Sequence, residues 1–189
     1  MPSDTNSSDD RLDPALIKLG LTVVVGAFAS LLDSTIVSIA INTLGRDFHT
    51  SLSTIQWVLT GYLLALSMVI PLTGWAVGRF GQKNMWIISV TLFTVASVLS
   101  GLAWSAASLI AFRVLQGISG GMILPIAQTI VVRAAGPRRI GRMMGIIAVP
   151  SQLAPVIGPV VGGVIVDYLS WRWLFFLNVP IGLAGLALS

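Results

Sequence analysis

The chain has 189 residues, 55% of them hydrophobic and 10% charged, with a net charge of +4. A water-facing domain of this length usually carries roughly 25% charged residues, so the charge needed for a soluble surface is missing. With no Cys, one His and no Glu, disulfides and Cys-ligated metals are excluded, and neither hydrolytic chemistry, a metal site nor a cofactor is expected. The bases fall in short clusters between apolar stretches rather than along one face, which argues against a nucleic-acid partner.

Residues 1–14 read as a disordered cytoplasmic tail, because Met1 to Asp13 is polar and rich in Ser and Asp. Asp13-Pro14 has the form of an N-cap followed by a proline at the first helical position. The stretch is not a secretory signal, since the first apolar run is too long and acids rather than bases precede it. Residues 15–189 follow as one membrane unit. Crossing about 30 Å of hydrocarbon takes about 20 apolar residues in a helix, and the chain supplies such runs repeatedly. Helix 1 is predicted over about 17–41 and helix 2 over about 52–77. The uncharged stretch from Asn84 to Phe112 is too long for one span and divides at Ala103-Trp104-Ser105. That places helix 3 over about 84–103 and helix 4 over about 105–132. Helix 5 follows over about 143–166, and helix 6 over about 173–189. Helix 6 is short and lacks a cytoplasmic flank, so the end at Ser189 reads as an interruption. The fold class is an all-α membrane protein, a bundle of six transmembrane helices.

With the N-terminus in the cytoplasm, the cytoplasmic segments hold Arg11, Lys18, Arg79, Lys83, Arg133, Arg138, Arg139 and Arg142, whereas the outer loops hold Arg46 and Arg172. This is a positive-inside bias. The six tryptophans, Trp57, Trp75, Trp86, Trp104, Trp171 and Trp173, fall near predicted helix ends, where an aromatic belt sits.

Asp33 and Arg113 are the charges well within predicted spans. At 1.5 Å rise per residue they lie about 12 and about 10 Å from the outer ends of their helices, so they are expected to meet at one level. An ionised side chain at the bilayer centre costs a few kcal/mol and seeks a partner. Two readings stand: a static ion pair, or a proton carrier. In general, burial favours the neutral form of a carboxylate and a nearby cation favours the charged form, so movement of the cation changes proton affinity. Gln56, Gln116, Gln128 and Gln152 lie in spans together with Tyr62. Unsatisfied polar groups are costly in hydrocarbon, so all five are expected to point inward, either as interhelical hydrogen bonds or as lining of a substrate path. His49, alone in a loop, is assigned no role. Helix 5 carries Pro150, Pro155 and Pro159 with Gly158, Gly162 and Gly163. The prolines predict a bend, and the small residues predict a face for close helix approach.

These stretches together resemble the major facilitator superfamily, and within it the multidrug-efflux branch of fourteen-helix proton antiporters. Residues 32–40 (LDSTIVSIA) resemble that branch's helix 1 signature, and residues 56–64 (QWVLTGYLL) resemble its helix 2 opening. Residues 74–83 (GWAVGRFGQK) resemble the cytoplasmic loop motif, and 113–117 (RVLQG) the helix 4 motif. Residues 154–163 (APVIGPVVGG) resemble the helix 5 antiporter motif, and 171–182 (WRWLFFLNVPIG) the start of helix 6. Three positions depart from the pattern: Gly78 stands where an aspartate is usual, Gln82 where a base is usual, and Asn42 where a proline is common.

The resemblance implies the N-terminal half of a major facilitator fold, completed by a second six-helix half. It implies export of hydrophobic or amphipathic organic compounds in exchange for protons, across the plasma membrane and specifically a bacterial inner membrane. The lipid bilayer, a small-molecule substrate and protons are then the partners. Asp33 would exchange the proton, and Arg113, with Gln116 and Gly117 of its motif, would tune it. Pro155, Gly158, Pro159, Gly162 and Gly163 would form part of a moving interface, and Gly74, Arg79, Gly81 and Lys83 a cytoplasmic latch. An importer or uniporter on the same fold is the alternative within transport. An inert truncated fragment or membrane interaction module is the alternative outside it. For the topology, reporter tags at His49, Ala106 and Ser170 are expected to read outside, and tags at Gln82 and Pro137 inside. A cytoplasmic signal from Ala106 would remove the division between helices 3 and 4.

Overall fold

The computed structural model describes residues 14–188, with the side chains of residues 14–18, Pro137 and Arg138 left aside. Of the tail predicted over 1–14, residues 1–13 lie outside the described residues, as does the proposed cap at Asp13, and Pro14 already belongs to helix 1. Among those residues there are helices and turns and no strand. Helix 1 runs from Pro14 to Ile39, and a short helix, Ile41–Asp47, turns the chain at its end. Helix 2 spans Leu52–Phe80, helix 3 Gln82–Gly101, helix 4 Ala106–Gly136 and helix 5 Arg139–Tyr168. Helix 6 is the shorter apolar segment Trp173–Ala187, made of the turn Trp173–Phe176 and the helix Asn178–Ala187.

Local chemistry explains where these helices start. The Ser51 hydroxyl accepts from the Thr54 backbone N–H and opens helix 2. Ser105 and Ser108 form a reciprocal capping box that opens helix 4, so the division expected at 103–105 falls between Gly101 and Ala106. Both caps satisfy backbone donors that a helix N-terminus leaves free.

At the opposite end of the bundle the connections are much tighter than predicted. Helix 2 passes into helix 3 through Gly81 alone, at φ +83°. Helix 4 turns into helix 5 at Gly136, at φ +67°. The left-handed backbone that these turns need favours glycine. The Arg-rich stretch read as a loop at 133–142 is therefore mostly helical, with helix 4 reaching Gly136 and helix 5 beginning at Arg139. Charge marked this stretch as outside the apolar span, but charge does not stop a helix when a single glycine can make the turn.

The core is divided into two apolar clusters. One gathers Val23, Ala27, Trp86, Phe93, Ile126 and Met143 toward the Gly81 end. The other gathers Leu32, Ile36, Leu44, Ile55, Leu109 and Phe175 toward the Ser105 end. Helices 1, 3 and 4 pass from one cluster to the other through a layer of buried polar residues that includes Asp33, Ser97 and Arg113.

Helix 4 reaches the centre because glycines let neighbouring backbones come close. A Cβ on Gly117 would lie 2.4 Å from the Tyr62 carbonyl oxygen, and one on Gly121 2.5 Å from that of Leu66. Helix 2 therefore has to rest directly on the helix 4 backbone. Gly117→Ala must push the two helices apart and is expected to cost about 1–3 kcal/mol, as overpacking does. Gly145→Ala, in open space, is expected to cost nothing measurable. Thermal unfolding of the purified protein in detergent checks both, and equal stability of the two variants would show that the close approach carries no energy.

Candidate functional site: a buried polar network around Asp33

Asp33 is 1% exposed and Arg113 fully buried. Each must find its partners inside the bundle, since no water reaches either. The Arg113 Nη1 donates to Asp33 Oδ2 at 2.5 Å. It also donates to Gln116 Oε1 at 2.8 Å, one turn along the same helix. Gln116 returns the contact, with its Nε2 donating to Asp33 Oδ1 at 3.0 Å and to Ser97 Oγ at 2.7 Å. Ser100 Oγ donates to Gln116 Oε1 at 3.5 Å. From helix 6, the Asn178 Nδ2 donates to Asp33 Oδ1 at 2.6 Å. Helix 2 closes the remaining side. Its Val58 carbonyl accepts from Arg113 Nε at 3.3 Å, and the Tyr62 ring lies 4.0 Å from the guanidinium carbon, within cation–π range. Arg113 Nη2 has no hydrogen-bond partner.

Five helices thus meet in one network. Asp33 Oδ1 and Oδ2 receive three donors, from helices 4 and 6, and all of them suit the charged form. A buried ion pair is tolerated when its remaining lone pairs and protons are largely matched, as they are here except at Arg113 Nη2, and breaking such a pair by removing one partner typically costs about 3–5 kcal/mol. Tyr62 is held separately. Its hydroxyl donates to the Ser30 carbonyl at 3.2 Å and lies 3.3 Å from Ser30 Oγ, which donates in turn to the Gly120 carbonyl at 3.4 Å.

Asp33 and Arg113 do meet at one depth, and Gln116 and Tyr62 do point inward. Gln56, Gln128 and Gln152 do not: all three are exposed on this bundle. Polarity says that a membrane glutamine avoids lipid, but not that its partner lies in the same bundle. Asn178, Ser97 and Ser100 had not been singled out. The signals for Asn178 are its place in the stretch 171–182 and its polarity among the apolar residues 173–188.

The glycine motif of helix 5 divides between two faces. A Cβ on Gly158 would lie 2.1 Å from Thr35 Oγ1, and one on Gly162 3.2 Å from the Ile36 carbonyl oxygen. These two glycines press helix 5 onto helix 1 beside Asp33, and Thr35 Oγ1 donates to the Ala154 carbonyl at 3.5 Å. Pro155 and Pro159 face outward, and Gly163 has nothing near its Cβ position. Helix 5 runs unbroken through Pro150, Pro155 and Pro159.

At the Gly81 end, Gly74, Arg79, Gly81 and Lys83 are exposed. Gly78, at the position where the resembling family carries an acid, has open space at its Cβ. A cavity of about 270 Å³ lies there between helices 2 and 4, lined by Thr73, Gly74, Gly78, Thr129 and Arg133 among others. At the other end, Trp171 Nε1 donates to Asp47 Oδ2 at 2.7 Å, and Arg172 Nη2 to the Ala103 carbonyl at 3.1 Å. These bonds tie three turns together. Among the described residues no group of three His, Cys, Asp or Glu is placed to hold a metal.

Gln116 touches every side chain bonded in the network except Asn178. Gln116→Leu is expected to destabilise the protein by about 2–4 kcal/mol, because Arg113 and Ser97 each lose a buried partner. Combined with Asp33→Asn, the loss should fall short of the sum by about 0.5–3 kcal/mol. Unfolding of the two single variants and the double variant measures this coupling, and additivity would mean that the residues do not share a network.

The family description Major Facilitator Superfamily matches residues 23–189. The chain is 41% identical over 187 residues to a Mycobacterium tuberculosis protein called multidrug resistance protein B homolog, covering 99% of the chain and 35% of that relative. It is 39% identical over 175 residues to the multidrug export protein EmrB of Haemophilus influenzae, covering 93% of the chain and 34% of that relative. The chain therefore spans about a third of the length of these curated relatives. Among solved structures it resembles the proton:xylose symporter XylE, with a TM-score of 0.77 at 17% identity over 92% of the chain and 44% of that protein. It also resembles a bacterial homolog of the human lysosomal transporter Spinster, with a TM-score of 0.74 at 19% identity over 94% of the chain and 42% of that protein. These relatives are transporters rather than enzymes, and the shared fold is that of a multi-pass membrane protein. The chain belongs to the Major Facilitator Superfamily, and it matches the N-terminal half of that superfamily's multidrug transporters.

Proposed function

We propose that this chain forms the N-terminal half of a proton-coupled exporter of hydrophobic or amphipathic organic compounds, with its N-terminus on the cytoplasmic side of a bacterial inner membrane. The observation that carries the reading is the carboxylate of Asp33, sealed inside an apolar bundle and matched by donors from Arg113, Gln116 and Asn178. An intramembrane acid held by a cation is a group whose charge responds when its surroundings shift, which is what exchange of a proton against a substrate requires. The names of the relatives, multidrug resistance and multidrug export proteins, support drugs as the substrates.

In this reading, the half rocks against a second six-helix half and exposes the path between them to each side in turn. Asp33 takes up and releases the proton, and Arg113 biases that exchange through Asp33 Oδ2. The exposed Gln56, Gln128 and Gln152 belong to the face toward the second half, where they line the substrate path with apolar neighbours. Gly158 and Gly162 give helix 5 a smooth bearing on helix 1, close to Asp33. Arg79 and Lys83, beside the Gly81 turn, take part in closing the cytoplasmic side, without the acid that position 78 usually supplies in the family.

Asp33→Asn keeps the shape and loses the proton site. In vesicles carrying the full-length transporter, drug-driven proton release is expected to disappear, while drug binding, which rests on apolar contacts, remains within a few-fold of wild type. Proton release at the wild-type ratio from the Asp33→Asn variant would place the carrier elsewhere.

A further inference from the structure

The hydrogen bonds around Asp33 suit one protonation state, and one residue is free to serve the other. Asp33 Oδ1 has two lone-pair directions, taken by Gln116 Nε2 and Asn178 Nδ2, while Oδ2 is paired with Arg113. All three of these hydrogen-bonded partners are donors. If a proton from water adds to Oδ1, the new O–H needs an acceptor, because a buried donor left unmatched is expensive.

Gln116 cannot supply that acceptor without loss. Its Oε1 already accepts from Arg113 Nη1, and its Nε2 already donates to Ser97 Oγ. Turning its amide would point N–H groups at the arginine. Asn178 is different, because among the described residues its one side-chain hydrogen bond is the bond to Asp33. Half a turn of its amide replaces Nδ2 by Oδ1 at the same place, so it can accept from the protonated acid without taking a hydrogen bond from a third group. Gln116 keeps its lone pair on Asp33 Oδ1 throughout, and the Arg113 contact to Oδ2 is undisturbed.

We propose that Asn178 is the positioning residue that reads the protonation of Asp33, its amide donating to the carboxylate and turning to accept from the acid, and so carries the state of the proton site to the start of helix 6. Asn178 is buried at the first residue of the helix Asn178–Ala187. Two residues before it, Phe176 packs where a Gly101 Cβ would otherwise stand, and four residues after it Gly182 rests on Thr94. An amide that turns at this point acts where helix 6 is seated on helix 3. This inference rests on the reading of Asp33 as the proton carrier.

The test uses the full-length transporter in lipid vesicles, with infrared difference spectra recorded on acidification and drug–proton exchange measured in parallel. Wild type is expected to show a carboxylic-acid carbonyl band together with a change in a side-chain amide carbonyl band. Asp33→Asn should remove the acid band. If that band persists in Asp33→Asn, the proton-carrier reading fails, and the role of Asn178 fails with it. Asn178→Leu keeps the branched shape and leaves no gap but can neither donate nor accept. It should retain the acid band, lose the amide change and exchange about tenfold more slowly. Asn178→Ser leaves a larger gap but has a hydroxyl that rotates to donate or accept, so it should exchange faster than Asn178→Leu. A residue that only fills space predicts the reverse order. Persistence of the amide change in either Asn178 variant, or faster exchange by Asn178→Leu than by Asn178→Ser, would overturn the proposal while leaving Asp33 as carrier.

Discussion

Asp33 and Arg113 are opposite charges that no water reaches, and the bundle is arranged around their contact. A lone charge in this setting costs several kcal/mol, so each residue is stabilised where it sits by the other. Pairing alone does not satisfy them. A carboxylate has about four lone-pair sites and a guanidinium five N–H groups, and most of the remaining positions are matched by other helices, Arg113 Nη2 excepted. Helix 2 contributes the Val58 carbonyl and the Tyr62 ring, helix 3 positions Gln116 through Ser97, and helix 6 contributes Asn178. The ion pair therefore requires five helices to approach one point, and the register of each helix follows from the residue it brings there.

That convergence needs backbones closer together than large side chains allow. Gly117 and Gly121 let helix 2 lie against helix 4, and Gly182 lets helix 6 lie against Thr94 of helix 3. Without a hydrophobic force between helices in lipid, small residues at contacts are what permit dispersion and hydrogen bonding to hold a bundle. Glycine here costs little helix stability, because the backbone bonds have no water with which to exchange. The same logic separates the glycines of helix 5. Gly158 and Gly162 are pressed on helix 1, whereas Gly163 faces open space, so the motif is a stripe rather than a uniformly small face.

Much of this was legible in the chain because hydrocarbon imposes length and charge rules that are read one residue at a time. The spans, the split before Ser105 and the shared level of Asp33 and Arg113 all follow from counting apolar residues and multiplying by the helical rise. The rest depends on direction, which counting does not supply. Asn178, Ser97 and Ser100 are uncharged, so nothing forces attention to their depth, and their value lies in facing Asp33 or Gln116. Gln56, Gln128 and Gln152 illustrate the converse. They are as polar as Gln116, yet they lie outside the bundle, because a polar residue in a span is obliged to meet protein or water but not a particular wall of protein. The tight turns were missed for a third reason: charge at 133–142 was read as loop, although one left-handed glycine suffices to reverse the chain.

The position of the network bears on how a proton and a substrate are linked. All of Asp33's partners come from helices 4 and 6 of this chain, and Asp33 itself is 1% exposed. Rigid rocking of this half against another would leave every one of those bonds as it is and the carboxylate still dry. On the proposed reading, proton exchange therefore demands a movement within the half. Among the described residues helix 5 sends no side chain to the network, yet it bears on helix 1 at Thr35 and Ile36, two and three residues from Asp33. A contact made by glycines can slide without breaking side-chain interlocks, whereas the contacts of helices 2 and 4 are fixed by the guanidinium between them. Displacement of helix 5 along this stripe is felt first by the stretch of helix 1 that carries the acid. The proton site and the moving surface are then two faces of the same helix.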